Sequence, residues 1–221
     1  MEMEINKKRY PVYSLMVNEC TDNSCDTTET NFISLVENPA IEVDFIAFSK
    51  DSKKKAHSFK IQDSSKHMLC GPLMLADTPI YRRNDDTGEE YYVVFDALAI
   101  ENSVKNFARK GYNSNINMEH DSQVDNAYLM ESWIVTDSKN DKAAAYGFKN
   151  IPKGSWMGIV HLPNEEVWND YIKNGNLKGF SVEGIYAQSS QPVDFFSKNE
   201  YRLTKEEDEM LDELVKLLSN L

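Results

Sequence analysis

Short apolar and β-branched runs, each closed by a Gly, Pro, Asn or Asp signal, recur through most of this chain. They read as strands at 8–17, 31–36, 43–48, 68–76, 90–95, 115–120, 127–136 and 177–186, with a further hairpin formed by 144–148 and 155–162. The 31–36 strand ends at a turn because Pro39 turns Asn38 away from the helical region, and the 68–76 strand is interrupted at Gly71-Pro72. Asn84-Asp85-Asp86-Thr87-Gly88 is a turn that makes 90–95 the second arm of a hairpin. Helical periodicity is confined to three stretches. Asp96 caps 97–110, with Leu98, Val104, Phe107 and Ala108 on one face and Gly111 as its stop. Asn164 caps 165–173, with Val167, Trp168 and Ile172 on the buried side. In the tail, Thr204-Lys205-Glu206-Glu207 has capping-box spacing before a stripe of Leu211, Leu214, Val215, Leu218 and Leu221. The class is therefore α+β.

Length and a hydrophobic content of 41% suffice for one domain with arms to spare. The net charge of −12 argues against a nucleic-acid partner, since phosphate affinity needs clustered Lys and Arg. No apolar run is long enough to span a membrane, and Met1-Glu2-Met3-Glu4-Ile5-Asn6 lacks the pattern of a secretory signal, so a soluble, intracellular protein without membrane partners is expected. Cys20, Cys25 and Cys70 give an odd count without a CxxC pair, which points to free thiols. Residues 49–66 hold six lysines and five serines against two aspartates, the composition of a solvated linker or an arm for an acidic partner. The chain divides into N-terminal strands (1–48), this linker (49–66), a core (67–190) and a tail (191–221).

Two motifs carry chemistry. In Gly179-Phe180-Ser181-Val182-Glu183-Gly184 glycines flank a serine held on a strand, and in Asn117-Met118-Glu119-His120-Asp121 a histidine stands where a strand enters a polar turn. His57, His67 and His161 sit in structural or solvated contexts. Imidazole paired with a held serine can take the serine proton and return it to a leaving amine. A third group must orient the imidazole. Glu131, between apolar neighbours on the following strand, is the preferred candidate, Asp121 the second, and Glu183, on the strand face of Ser181, a further one. No metal-ligand spacing, phosphate-cradling loop or GxSxG elbow is present, so neither metal nor cofactor is expected.

Cys70 to Arg83, Glu90 to Phe95, the NMEHD motif, Glu131-Ser132-Trp133-Ile134, Pro152-Lys153-Gly154-Ser155-Trp156 and the GFSVEG motif occur in an order similar to that of the XkdF-like branch of phage prohead (capsid maturation) serine proteases, over about residues 67–187. The resemblance implies His120 as base and Ser181 as nucleophile; it leaves the third member open. It implies a small β-barrel surrounded by helices, related to the herpesvirus assembly protease. Ile33-Ser34-Leu35-Val36-Glu37-Asn38-Pro39-Ala40 resembles a strand that follows the serine in other prohead proteases, which implies a circular permutation with residues 31–48 completing the barrel. Function is then expected to be endopeptidase cleavage of scaffold and major capsid protein precursors inside the assembling procapsid, in the host cytoplasm, with a homodimer as a candidate assembly. The alternatives are a non-catalytic scaffold or capsid-assembly protein on the same fold, with the tail helix as its hook, and an esterase-like hydrolase.

Overall fold

Side chains alternate across a strand, so in Phe32-Ile33-Ser34-Leu35-Val36 the pair Ile33 and Leu35 shares one face and Ser34 the other. The computed structural model, which describes residues 2–5, 8–20, 28–41, 60–63 and 67–194, places that stretch in the middle of a sheet. Its strands in chain order are β1 (Glu2–Ile5), β2 (Lys8–Met16), β3 (Glu29–Val36), β4 (Lys60–Asp63), β5 (Met68–Met74), β6 (Ile80–Arg83), β7 (Glu90–Phe95), β8 (Ile116–Met118), β9 (Ser122–Gln123), β10 (Tyr128–Ile134), β11 (Trp156–His161), β12 (Gly179–Ile185) and β13 (Ala187–Gln188). Helices α1 (Ala97–Arg109), α2 (Lys142–Ala145) and α3 (Glu165–Val167) complete the described elements, with a 3₁₀ turn at Tyr112–Ser114 and a π turn at Trp168–Ile172.

The described strands form three sheets, ordered β1-β2-β7-β6 with β13 also on β2, β10-β11-β5-β4, and β12-β3-β8-β9. One cluster of buried side chains draws on all three: Ile33, Leu35 and Phe180 from the last, Leu69, Leu73 and Trp156 from the second, and Val93 and Phe95 from the first. Helix α1 adds Ile100 and Phe107 and packs on β3 and β11. Burying a large side chain of this kind contributes about 1.5–3 kcal/mol. The fold is α+β and dominated by strands. The N-terminal strands share this core: β2 lies parallel to β7, and β3 lies antiparallel to β12 and parallel to β8.

Several expectations change in detail. Residues 144–148 form no strand; Asp141 accepts from Ala143 N at 2.9 Å and starts α2, whose alanines favour a helical turn. Strand β5 continues through Gly71-Pro72, with Pro72 opposite Met157 and a one-residue bulge of β5 at Leu73, directly after the residue that lacks an N–H. Part of the expected linker, β4, pairs with β5 as an edge strand. In α1 the buried face is Ala99, Ile100, Asn102, Ser103, Asn106 and Phe107, while Leu98 is 63% exposed. The polar members face inward because they satisfy backbone groups after β2: Asn102 Nδ2 donates to Val17 O, Asn106 Nδ2 donates to Asn18 O, and Asn106 Oδ1 accepts from Cys20 N. Cys70 is a buried thiol, but Cys20 is disulfide-bonded, which corrects the expectation of three free thiols. The strand expected at 43–48, the 49–59 part of the linker, His57, Cys25 and the tail helix at 204–221 lie outside the described residues.

Strand β12 keeps its place on β3 through a register shift between Glu183 and Gly184, where a Cβ on Gly184 would stand 1.9 Å from the Glu29 carbonyl oxygen. A backbone atom cannot rotate away as a side chain can, so Gly184→Ala must displace one strand from the other. We expect this substitution to destabilise the fold by about 1–3 kcal/mol, read as a lower urea midpoint.

Candidate active site

The β12-β3-β8 ladder sets the site. Ser181 stands opposite Ser34 across the antiparallel pair, and Ser34 stands beside Asn117 across the parallel one, so all three side chains share the sheet face opposite Ile33 and Leu35. Glu183, two residues after Ser181, shares that face. His120 follows the end of β8 in a turn where Glu119 and His120 have φ of +51° and +60°, a left-handed conformation that non-glycine residues rarely adopt. The turn is fastened to the end of β3: Glu119 N donates to Leu35 O at 3.0 Å, and Glu119 Oε1 accepts from Glu37 N at 2.6 Å. Asp121 N closes it on Met118 O at 3.1 Å.

This turn brings the imidazole back over the sheet. His120 Nδ1 lies 3.1 Å from Glu183 Oε1 and 3.0 Å from Ser34 Oγ. Ser34 Oγ donates to Glu183 Oε1 at 2.5 Å, and Asn117 Nδ2 donates to the same oxygen at 2.5 Å. With the Ser34 hydroxyl proton directed at the carboxylate, both Nδ1 contacts are acceptors, which assigns the imidazole proton to Nδ1 and leaves the Nε2 lone pair available. Burial raises the Glu183 carboxyl, but hydrogen bonds from Ser34, Asn117 and His120, with the His120 charge, outweigh it and hold the group below its ordinary value. It is a carboxylate built to stay ionised beside a histidine.

The two serines differ in what they can reach. Ser34 is fully buried and committed to Glu183 and His120. Ser181 is half-buried, its Oγ has no hydrogen-bond partner among the described residues, and it borders a cavity of about 120 Å³. A peptide carbonyl can approach Ser181 and not Ser34.

The other sequence candidates sit elsewhere. Glu131 lies on β10, in a different sheet, and its carboxylate takes Lys142 Nζ. Asp121 is exposed, and its carboxylate makes no hydrogen bond among the described residues. The structure thus joins His120 to Glu183 and joins neither Glu131 nor Asp121 to it. His67 stacks on Trp168 with ring centroids 4.5 Å apart, and His161 packs on Tyr128.

Residues 80–189 match the family model described as putative phage serine protease XkdF. The chain belongs to this family of phage serine proteases. No curated protein and no solved structure matches it. The matched segment contains His120, Ser181, Glu183 and Asn117, whereas Ser34 and the whole of β3 precede it.

Sequence reasoning missed Ser34 and Asn117. The alternation in 32–36 put Ser34 opposite the core-facing Ile33 and Leu35, but nothing local said that β3 would lie between the strands of the two motifs. Because the folded Glu183 value lies below that of the unfolded chain, its ionised form contributes stability above the unfolded value, and this is lost as pH falls through the folded one. In urea titrations from about pH 3 to pH 7, across the carboxylate range, the wild-type midpoint should fall on acidification, and Glu183→Gln should show a smaller fall.

Proposed function

We propose that the protein is a prohead maturation serine endopeptidase, in which Ser181 is the nucleophile, His120 the general base and Glu183 the group that orients it. The observation that carries this reading is the His120 Nδ1 contact with Glu183 at 3.1 Å, which leaves Nε2 free on the sheet face that carries Ser181. Ser181 Oγ attacks the peptide carbonyl as its proton passes to His120 Nε2. The imidazolium, stabilised at Nδ1 by Glu183, then returns that proton to the departing amine. Water repeats the sequence on the acyl-enzyme, with His120 again as base. Backbone N–H groups supply the oxyanion contacts, each typically worth roughly 10²–10³ in rate. Ser34 and Asn117 act as positioning residues for Glu183, since each spends a donor on its Oε1.

Membership of a phage serine protease family supports phage protein substrates and a place of action in the host during phage assembly. Within that setting the proposed substrates are the scaffold and major capsid precursors of the procapsid. The fold proposed is the barrel related to the herpesvirus assembly protease, circularly permuted. Its support is that β3, carrying the SLV-x-x-PA motif, pairs directly with the Ser181 strand although it stands near the other end of the chain.

A second reading is a non-catalytic assembly protein on the same fold. One observation favours it: Ser181 Oγ makes no hydrogen bond to His120. In serine hydrolases that bond often tightens only when substrate is bound, so its absence without substrate does not decide against catalysis.

Co-expression with scaffold and capsid precursors separates the readings. Ser181→Ala and His120→Ala should abolish processing while folding normally. Glu183→Gln should slow it by about 10²- to 10⁴-fold, and Glu131→Gln should leave it unchanged. Processing by a well-folded Ser181→Ala variant would rule out the endopeptidase reading. A large loss in Glu131→Gln with none in Glu183→Gln would restore Glu131 as the orienter.

A further inference from the structure

Strand β12 is the end strand of its sheet among the described residues, ladder-paired with β3 and lying close to β5, and an end strand is where an extended peptide can add as a further strand. Three successive residues of this strand, Phe180, Ser181 and Val182, line the cavity beside Ser181. Its floor is carbon, from the core residues Leu73, Ile80 and Phe95, and its rim includes the half-buried Leu15 and Ala40. Among the described residues that line it, Arg82 is the one that carries a charge. Burial pushes the Tyr186 hydroxyl up to about 12, so that ring is neutral and supplies no anion to attract a basic side chain.

We propose, resting on the endopeptidase reading above, that this cavity receives one aliphatic side chain of the substrate, of the size of Val, Leu, Ile or Met, at a fixed position on the acyl side of the scissile bond. The chemistry of the walls selects it. An amide or ammonium group would lose its water without gaining a partner from the carbon floor. At about 120 Å³ the space greatly exceeds what one water needs, and it is bounded by walls that a bulkier ring would have to displace. Alternate side chains of an extended strand point to opposite faces, so one side chain can enter the cavity while the main chain stays at the edge of β12. Each methylene gained or lost in such a pocket is typically worth roughly 10- to 200-fold in kcat/KM.

The test uses the full chain and a pool of synthetic peptides randomised around a central bond, with products sequenced by mass spectrometry and Ser181→Ala as the control. The expected result is Ser181-dependent cleavage with Val, Leu, Ile or Met enriched at one acyl-side position. Ala40→Leu, which narrows the rim, should shift the preference there toward Val and Ala. Leu15→Ala, which widens it, should shift the preference toward larger side chains; this variant also serves if Ala40→Leu fails to fold. Ser181-dependent cleavage with no aliphatic preference, or with a preference that neither variant moves, overturns the pocket and leaves the endopeptidase reading standing. Absence of any Ser181-dependent cleavage, of peptides and of phage precursors alike, overturns both.

Discussion

The ladder that seats β3 between β12 and β8 is the constraint on which the site depends. A one-residue slip on either side would turn Ser34 inward and Ile33 outward, placing a hydroxyl in the core and an aliphatic side chain under the imidazole. The buried face of the sheet therefore enforces the geometry of its polar face. Ile33, Leu35 and Phe180, almost wholly removed from water, hold the register, and the Ser181-Ser34-Asn117 row follows from it. Gly184 belongs to the same device, because only a residue without a Cβ lets β12 pass the Glu29 carbonyl where the register shifts after Glu183.

On that row the charges are arranged around one oxygen. Glu183 Oε1 receives Ser34, Asn117 and His120, which offsets the cost of withdrawing a carboxylate from water. The imidazole is held on the opposite side by its turn, where two consecutive left-handed residues are pinned to the end of β3 by Glu119. Backbone strain of this kind persists only where surrounding bonds over-determine it, and here those bonds turn the imidazole back over the sheet. The consequence is a histidine with one nitrogen occupied and one open, beside one serine that is sealed and another that is accessible.

How much of this was legible in the chain depended on the range of the interaction. The hairpin around Gly88, the cap at Asp96 and the burial of Trp168 and Ile172 are local, and their signals were sufficient. His120 and Ser181 stood out as motifs, and the structure places Ser181 on β12 and His120 in the turn after β8, with β3 between those two strands. The acid that lies beside His120 was harder to foresee. Glu131 drew attention because a carboxylate between apolar neighbours needs a partner, but that partner is Lys142, eleven residues along and invisible to alternation. Glu183 was visible as a face-mate of Ser181, yet its contact with His120 depends on β3, distant in sequence from both, lying between their strands with Ser34 beneath the pair. The polar face of α1 was misjudged for the same reason: Asn102 and Asn106 are buried because backbone carbonyls after β2 need donors, a demand set by tertiary structure.

The central claim is that His120 and Glu183 activate Ser181 and leave Ser34 inert. The most direct measurement is covalent labelling of the full chain with a fluorophosphonate, followed by peptide mapping. The account predicts a single adduct on Ser181 that disappears in His120→Ala and is strongly reduced in Glu183→Gln. An adduct on Ser34, or labelling of Ser181 that persists unchanged without His120, would contradict it.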